Sequence, residues 1–243
     1  MPWGGNAVAE ADAALAGGLV AKVIAALNRH IREHRLAPGD ALPGESAFAL
    51  QLGVSRAVVR EAFQSMAALK LIDIGNGRRP RVSAIDRSVL GMVLDHAAQT
   101  DQTSIQQIYD VRRTIELRTV ALAALRREDA DAAEIARLAG AMRADFYEPA
   151  KVMEHDIAFH EAIAEASRNK LFAVLVGAFQ VITRQTWPIG WNSRGTDALR
   201  MASVEGHEAI ARAIAAQDPR VAEAAMAEHF DASVMALLGA GIT

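Results

Sequence analysis

The chain has 243 residues, 51% hydrophobic and 23% charged, which allows two modest domains with real cores and excludes a globally disordered polymer. It has no cysteine, which excludes a disulfide framework and any thiolate metal site and suits a reducing cytoplasm. Its net charge of −3 divides unevenly: residues 19–85 hold 10 Lys and Arg against 5 Asp and Glu, whereas residues 86–243 hold 16 against 22. A basic front and an acidic rear point to nucleic acid at one end and a different partner at the other.

Residues 1–17 read as a flexible tail. MPWGGNAVAEADAALAGG carries Glu10 and Asp12 and lacks the basic start of a signal peptide. No apolar run approaches a membrane span, so no membrane partner is expected. The first domain is expected over 18–83. Leu19, Val23, Ile24, Leu27 and Ile31 recur at helical spacing, and Pro38-Gly39-Asp40 stops that helix. Leu42-Pro43-Gly44-Glu45 opens a short helix that Gly53 ends. Ser55 caps a third helix over about 55–69. Its apolar face is Val58, Val59, Ala62, Phe63, Met66 and Leu69, and Arg56, Arg60 and Gln64 form a polar stripe opposite. Leu71–Ile74, Gly75-Asn76-Gly77 and Arg78–Val82 read as a β-hairpin with Arg78, Arg79 and Arg81 at its tip.

Residues 84–103 are expected to hold a linker and a first helix, 87–99, before an all-helical domain over 104–240. Its helices are placed near 103–126, 128–147, 150–167, 170–187, 197–216 and 219–239. Residues 188–196, with two Gly and a Pro, read as the one sizeable loop. The fold class is therefore mainly α: an N-terminal winged helix-turn-helix with a small β-hairpin wing, and a C-terminal all-α bundle. In a winged helix-turn-helix the second helix of the pair presents polar side chains to base edges in the major groove, which the Arg56/Arg60/Gln64 stripe is free to do.

In the rear domain, Asp156 and His160 are four apart and leave one face of a predicted helix, while His207 and His229 lie on two later helices. One Asp and three His brought together suit a divalent transition metal such as Zn, Mn, Ni or Fe, and the set does not choose among them. On spacing alone the ordinary reading of an Asp/His pair is a surface pair. His30, His34, His96 and His155 have no such company and read as surface or structural residues.

Leu42-Pro43-Gly44-Glu45, Gly53-Val54-Ser55-Arg56, Val59-Arg60-Glu61-Ala62 and Gly77…Arg81-Val82 resemble the GntR family of bacterial repressors. The resemblance implies that Ser55, Arg56 and Arg60 contact DNA and that Asn76 and Gly77 place the wing tip in the minor groove; Gln64 on the polar stripe and Arg78 at the hairpin tip are DNA-binding candidates beside them. The family usually has an Arg after the Glu of LPxE; here Ser46 stands there. Residues 104–240 are similar to the FCD ligand-binding domain of the FadR branch. The matching pieces are Asp110-Val111-Arg112-Arg113 with Glu116, Asp156 with Phe159-His160, Ser167 with Asn169, Gly206-His207 with Ile210, and the late His229. That resemblance implies that Asp156, His160, His207 and His229 hold a metal and that Arg112 grips a ligand carboxylate. Arg184, on the helix that carries Trp187, is a second candidate for the ligand.

The resemblance also implies a cytoplasmic homodimer on double-stranded DNA with a pseudo-palindromic operator, controlled by a small carboxylate metabolite. The segment around Trp187 resembles the branch that answers to sugar acids, so a sugar acid or hydroxy acid is expected. A regulator that senses the ion itself shares every one of these features. A metal-dependent hydrolase is the remaining rival, disfavoured by the attached DNA-reading unit and the lack of an obvious general base beside the four ligands.

Overall fold

The computed structural model describes residues 18–75 and 77–242; the predicted tail 1–17 and Asn76 lie outside the described residues. The chain divides into two units, the second starting at Arg87. The first contains α1 (Gly18–Glu33), α2 (Glu45–Leu52), α3 (Arg56–Ala68), β1 (Ile72–Asp73) and β2 (Arg81–Val82). Val23, Leu27, Phe48, Val59, Phe63 and Met66 fuse the three helices into one core, so the predicted periodicities lie on its inner faces. Removing a buried Phe from such a core costs about 3–5 kcal/mol. Leu19 and Leu69 depart from expectation: Leu19 lies in the first turn of α1, Leu69 follows the end of α3, and each is 53% exposed.

Two caps set the angle between α2 and α3. Gly53 ends α2 at φ 66°, a left-handed conformation that glycine adopts without cost. The Ser55 hydroxyl then accepts from Val58 N–H at 3.4 Å and starts α3. α2 opens only at Glu45, later than Pro43 predicts, because Leu42 belongs to the sheet: its N–H donates to Pro80 O at 2.7 Å and its side chain is buried. Residues 39–42 thus form a further edge beside β2, with Gly39 N–H on Val82 O (2.8 Å) and Val82 N–H on Asp40 O (3.0 Å). That edge also corrects the reading of Arg81. Its guanidinium donates to Gly39 O at 2.5 Å, so it ties the sheet together and is not part of the wing tip.

The second unit contains α4 (Arg87–Gln99), α5 (Ile105–Arg126), α6 (Asp129–Ala144), α7 (Pro149–Ala166), α8 (Lys170–Ala178), α9 (Gln180–Ser193), α10 (Asp197–Ala215) and α11 (Pro219–Gly239). Helix α4, expected as part of a linker, packs on α8 and α9 and belongs to this bundle. Arg87, its first residue, passes over Gly177, where an added Cβ would lie 2.5 Å from the Arg87 side chain. It ends 2.8 Å from Glu161 Oε1 on α7, a contact of charges without hydrogen-bond alignment.

Two boundaries differ from expectation. The predicted helix 170–187 is broken at Phe179, where Phe179 N–H turns back to Val176 O at 3.1 Å and Phe179 O accepts from Ile182 (3.0 Å) and Thr183 (2.9 Å). The predicted loop 188–196 is largely helix, since α9 runs through Pro188 to Ser193. Proline removes one helical hydrogen bond. The buried face Ile182, Thr183, Thr186, Gly190 and Trp191 outweighs that loss, and Trp187 stacks on Trp191 at 4.9 Å between ring centroids.

Candidate functional site

α7 delivers Asp156 and His160 from one face, α10 delivers His207, and α11 delivers His229. One ligand atom from each of the four lies within 4.8 Å of all the others. Asp156, His160 and His207 are buried and His229 half-buried, so the cluster is interior and is not the surface pair that spacing alone suggests. Two of the rings are held from behind. His207 Nδ1 lies 2.8 Å from Ser203 O, and His160 Nδ1 meets the Glu116 carboxylate, whose acceptors fix the proton on Nδ1 in both rings. The Nε2 atoms are then the ring nitrogens turned inward, where a metal could replace a proton. His160 Nε2 is buried with no hydrogen-bond partner, and His207 Nε2 faces Asp156 Oδ1 at 2.8 Å. An orphaned imidazole nitrogen beside a carboxylate and two further imidazoles fits a cation that all four can share.

The charges agree. Burial works to raise the Asp156 carboxyl, but the His207 hydrogen bond and the nearby imidazoles hold it well below the usual carboxylate range. Burial, with the charges of His207 and His160, pushes His229 well below the ordinary histidine value, so it presents a neutral imidazole.

Arg112, 6% exposed, faces the same chamber. Its Nε donates to Glu116 Oε1 at 2.5 Å and its Nη1 to Thr183 Oγ1 at 2.9 Å. Burial opposes its charge, but Glu116, Tyr109 and Asp156 together outweigh burial and raise its pKa further. Glu116 therefore spends one oxygen on Arg112 and the other on His160. Sequence reading had placed it only as part of a family motif. Burial likewise works against the Glu116 charge, and Arg112 and His160 overcome it and lower its pKa.

Arg184 is not in this chamber. It is exposed and paired with Glu154, Nη2 to Oε2 at 2.9 Å, so it is withdrawn as a ligand residue. Arg194, which sequence reading missed, stands there instead. It lines the chamber beside Asp156 and Trp191 and donates to Gly190 O at 2.7 Å. The signal lay in the helical phase of Gly190 and Trp191, hidden by the loop assigned to that segment. Trp187, packed against the core, also lines the chamber. The chamber has a volume of about 40 Å³. It adjoins a groove of about 530 Å³ between α10 and α11, and Arg194, Ser203 and His229 line both.

In the first unit, Ser55, Arg56, Arg60 and Gln64 are exposed on α3, and Gly77 and Arg78 are exposed in the turn between β1 and β2. Gly77 has φ 72°, which lets the turn close. Asn76 lies outside the described residues. Arg56 is tethered, its Nε donating to Glu45 Oε2 at 3.0 Å while its side chain stays 66% exposed. An exposed pair of this kind adds under about 1 kcal/mol to stability, so its effect is to aim the guanidinium outward.

Comparison with known proteins matches two family models: bacterial regulatory proteins of the gntR family over residues 19–82, and the FCD domain over 107–232. The chain is 32% identical over 206 residues to the HTH-type transcriptional regulator LutR of Bacillus subtilis (strain 168), covering 82% of this chain and 92% of the relative. It is 28% identical over 210 residues to the galactonate operon transcriptional repressor of Escherichia coli (strain K12), covering 84% and 90%. Among solved structures it is similar to Streptococcus agalactiae GntR, with TM-score 0.65 and 25% identity, covering 88% of this chain and 98% of that one. These relatives are transcriptional regulators, not enzymes, and among the described residues no helix is long and apolar enough to cross a membrane.

Proposed function

We propose, from the premise that this chain belongs to the gntR family of bacterial regulatory proteins and carries an FCD domain, that it is a cytoplasmic, homodimeric repressor of the FadR subfamily whose operator binding is controlled by a small carboxylate acid. The observation that carries the acid reading is the charge balance of the chamber. Asp156 and Glu116 contribute two negative charges, and Arg112 and Arg194 two positive ones. A divalent cation on Asp156, His160, His207 and His229 leaves a buried positive surplus, which favours entry of an anion. The cation supplies a Lewis-acidic anchor for oxygen atoms; Zn, Mn, Ni and Fe all suit the donor set. Arg112, fixed by Glu116 and Thr183, presents a preset guanidinium to a carboxylate. The name of one relative, a galactonate operon transcriptional repressor, supports a sugar acid.

At the front, Ser55, Arg56, Arg60 and Gln64 read the major groove of a pseudo-palindromic operator, and Asn76, Gly77 and Arg78 place the wing in the minor groove. The acid acts only through its different affinity for the DNA-competent and DNA-incompetent states. The test is thermal unfolding of metal-loaded protein against sugar acids and hydroxy acids, since a ligand at a hundredfold excess over Kd stabilises by about 2.7 kcal/mol. A shift with one acid, lost on stripping the metal, is expected. A shift with an ion and with no acid, together with operator affinity that follows the free metal, would favour the metal-sensing alternative instead.

A further inference from the structure

We infer that the acid held at this site carries an aliphatic arm, which lies in the groove between α10 and α11 with Arg194 at the junction. This rests on the proposed acid site at the metal ligands and Arg112. The chamber in front of Arg112 has about 40 Å³, far below what a whole small molecule fills, so it takes the acid head alone. Pockets for whole small molecules run to about 300–1,000 Å³, a range that the adjoining groove meets with about 530 Å³. The two spaces share Arg194, Ser203 and His229, so a ligand anchored by its head has one continuous way out.

The groove's lining sets the chemistry of the part of the ligand beyond its head. Leu199, Ala209, Ala232 and Met235 make the lining mainly apolar, and Ser193, Ser203 and Glu228 are too few to partner every hydroxyl, so a polyhydroxylated chain laid along the groove would lose hydration at most of its positions. Glu228 is at the rim, where it repels a second carboxylate. Gly206 forms part of the wall, and a Cβ added there meets nothing within 4 Å, so that wall is open space in front of a helix. The ligand is therefore a 2-hydroxy monoacid with an aliphatic arm in preference to a sugar acid or a diacid.

The experiment is isothermal titration of lactate, 2-hydroxybutanoate, 2-hydroxyhexanoate and galactonate into metal-loaded full-length protein, with sedimentation velocity alongside. Affinity is expected to rise roughly two- to fourfold per added methylene, the range for burying a CH₂ partly or fully, and 2-hydroxyhexanoate is expected to outbind galactonate. Gly206→Leu, which fills the groove from a backbone position with room for it, is expected to erase the dependence on chain length. Binding of short acids with no chain-length dependence in the wild type overturns the arm and leaves the acid site standing. So does tighter binding of galactonate, or a length dependence that survives in Gly206→Leu. A change in oligomeric state on Gly206→Leu overturns it too, by showing the groove to be a contact between copies. Failure of every acid to bind overturns the acid site itself, and the arm with it.

Discussion

Replacing Glu116 by Ala would strip two partners at once. Both carboxylate oxygens are engaged at 2% residual exposure, one by Arg112 at 2.5 Å and the other by His160. Breaking a buried pair from one side costs about 3–5 kcal/mol, because the remaining charge is left desolvated. For a unit of this size each kcal/mol moves Tm by roughly 2–4 °C, so Tm should fall by about 6–20 °C. The loss of the acceptor behind His160 should also lower metal affinity by about 10–100-fold. Differential scanning calorimetry reads the first effect and competition with a chelating dye the second. The double variant Glu116→Leu/Arg112→Leu removes the stranded charge and should recover part of the stability, which a double-mutant cycle expresses as a coupling energy. A Glu116→Ala protein within about 0.5 kcal/mol of wild type, with metal affinity unchanged, would show that Glu116 neither holds Arg112 nor braces His160.

Arg60→Ala should weaken specific operator binding by about 1–3 kcal/mol, the range for one base contact, while leaving metal content intact; wild-type affinity in fluorescence anisotropy would remove Arg60 from the recognition surface. His160→Ala should cut the metal content sharply by elemental analysis, and an unchanged stoichiometry would refute the four-ligand site. Arg112→Lys keeps the charge beside Glu116 but loses the guanidinium fork, so acid binding should drop at least about tenfold in calorimetry while the metal stays bound; tight acid binding by this variant would place the carboxylate elsewhere.

Much of this molecule could be read from its one-dimensional pattern. Ser55 as a helix cap, Gly53 as a helix stop and the inward row Val59, Ala62, Phe63 and Met66 are local signals, and they appear where local physics puts them. The gathering of Asp156 and His160 with His207 and His229 was accessible only through a resemblance, because three separate helices must meet to make it. Errors arose where distant packing overrides a local rule. Pro188 and two glycines read as a loop, yet a buried face running from Ile182 to Trp191 keeps the helix whole. That misreading also hid Arg194 and favoured Arg184, which sits on the same helix but faces Glu154. Arg81 looked like one more wing cation until residues 39–42 came in beside it. Glu116 carries no local mark of its double duty, since the second partner, His160, arrives only through the fold.

The run of Arg87 across Gly177 to Glu161 has a mechanical consequence. Arg87 opens the bundle at the point where the chain arrives from Asp86, and Glu161 immediately follows His160. An axial slide or roll of α7 therefore loads this ion pair before it reaches the head of α4. The path is kept short because α8 offers no side chain at Gly177 to push the arginine aside. The bundle thus has a tie across it: one end is the residue after a histidine of the interior cluster, and the other is the first residue of α4.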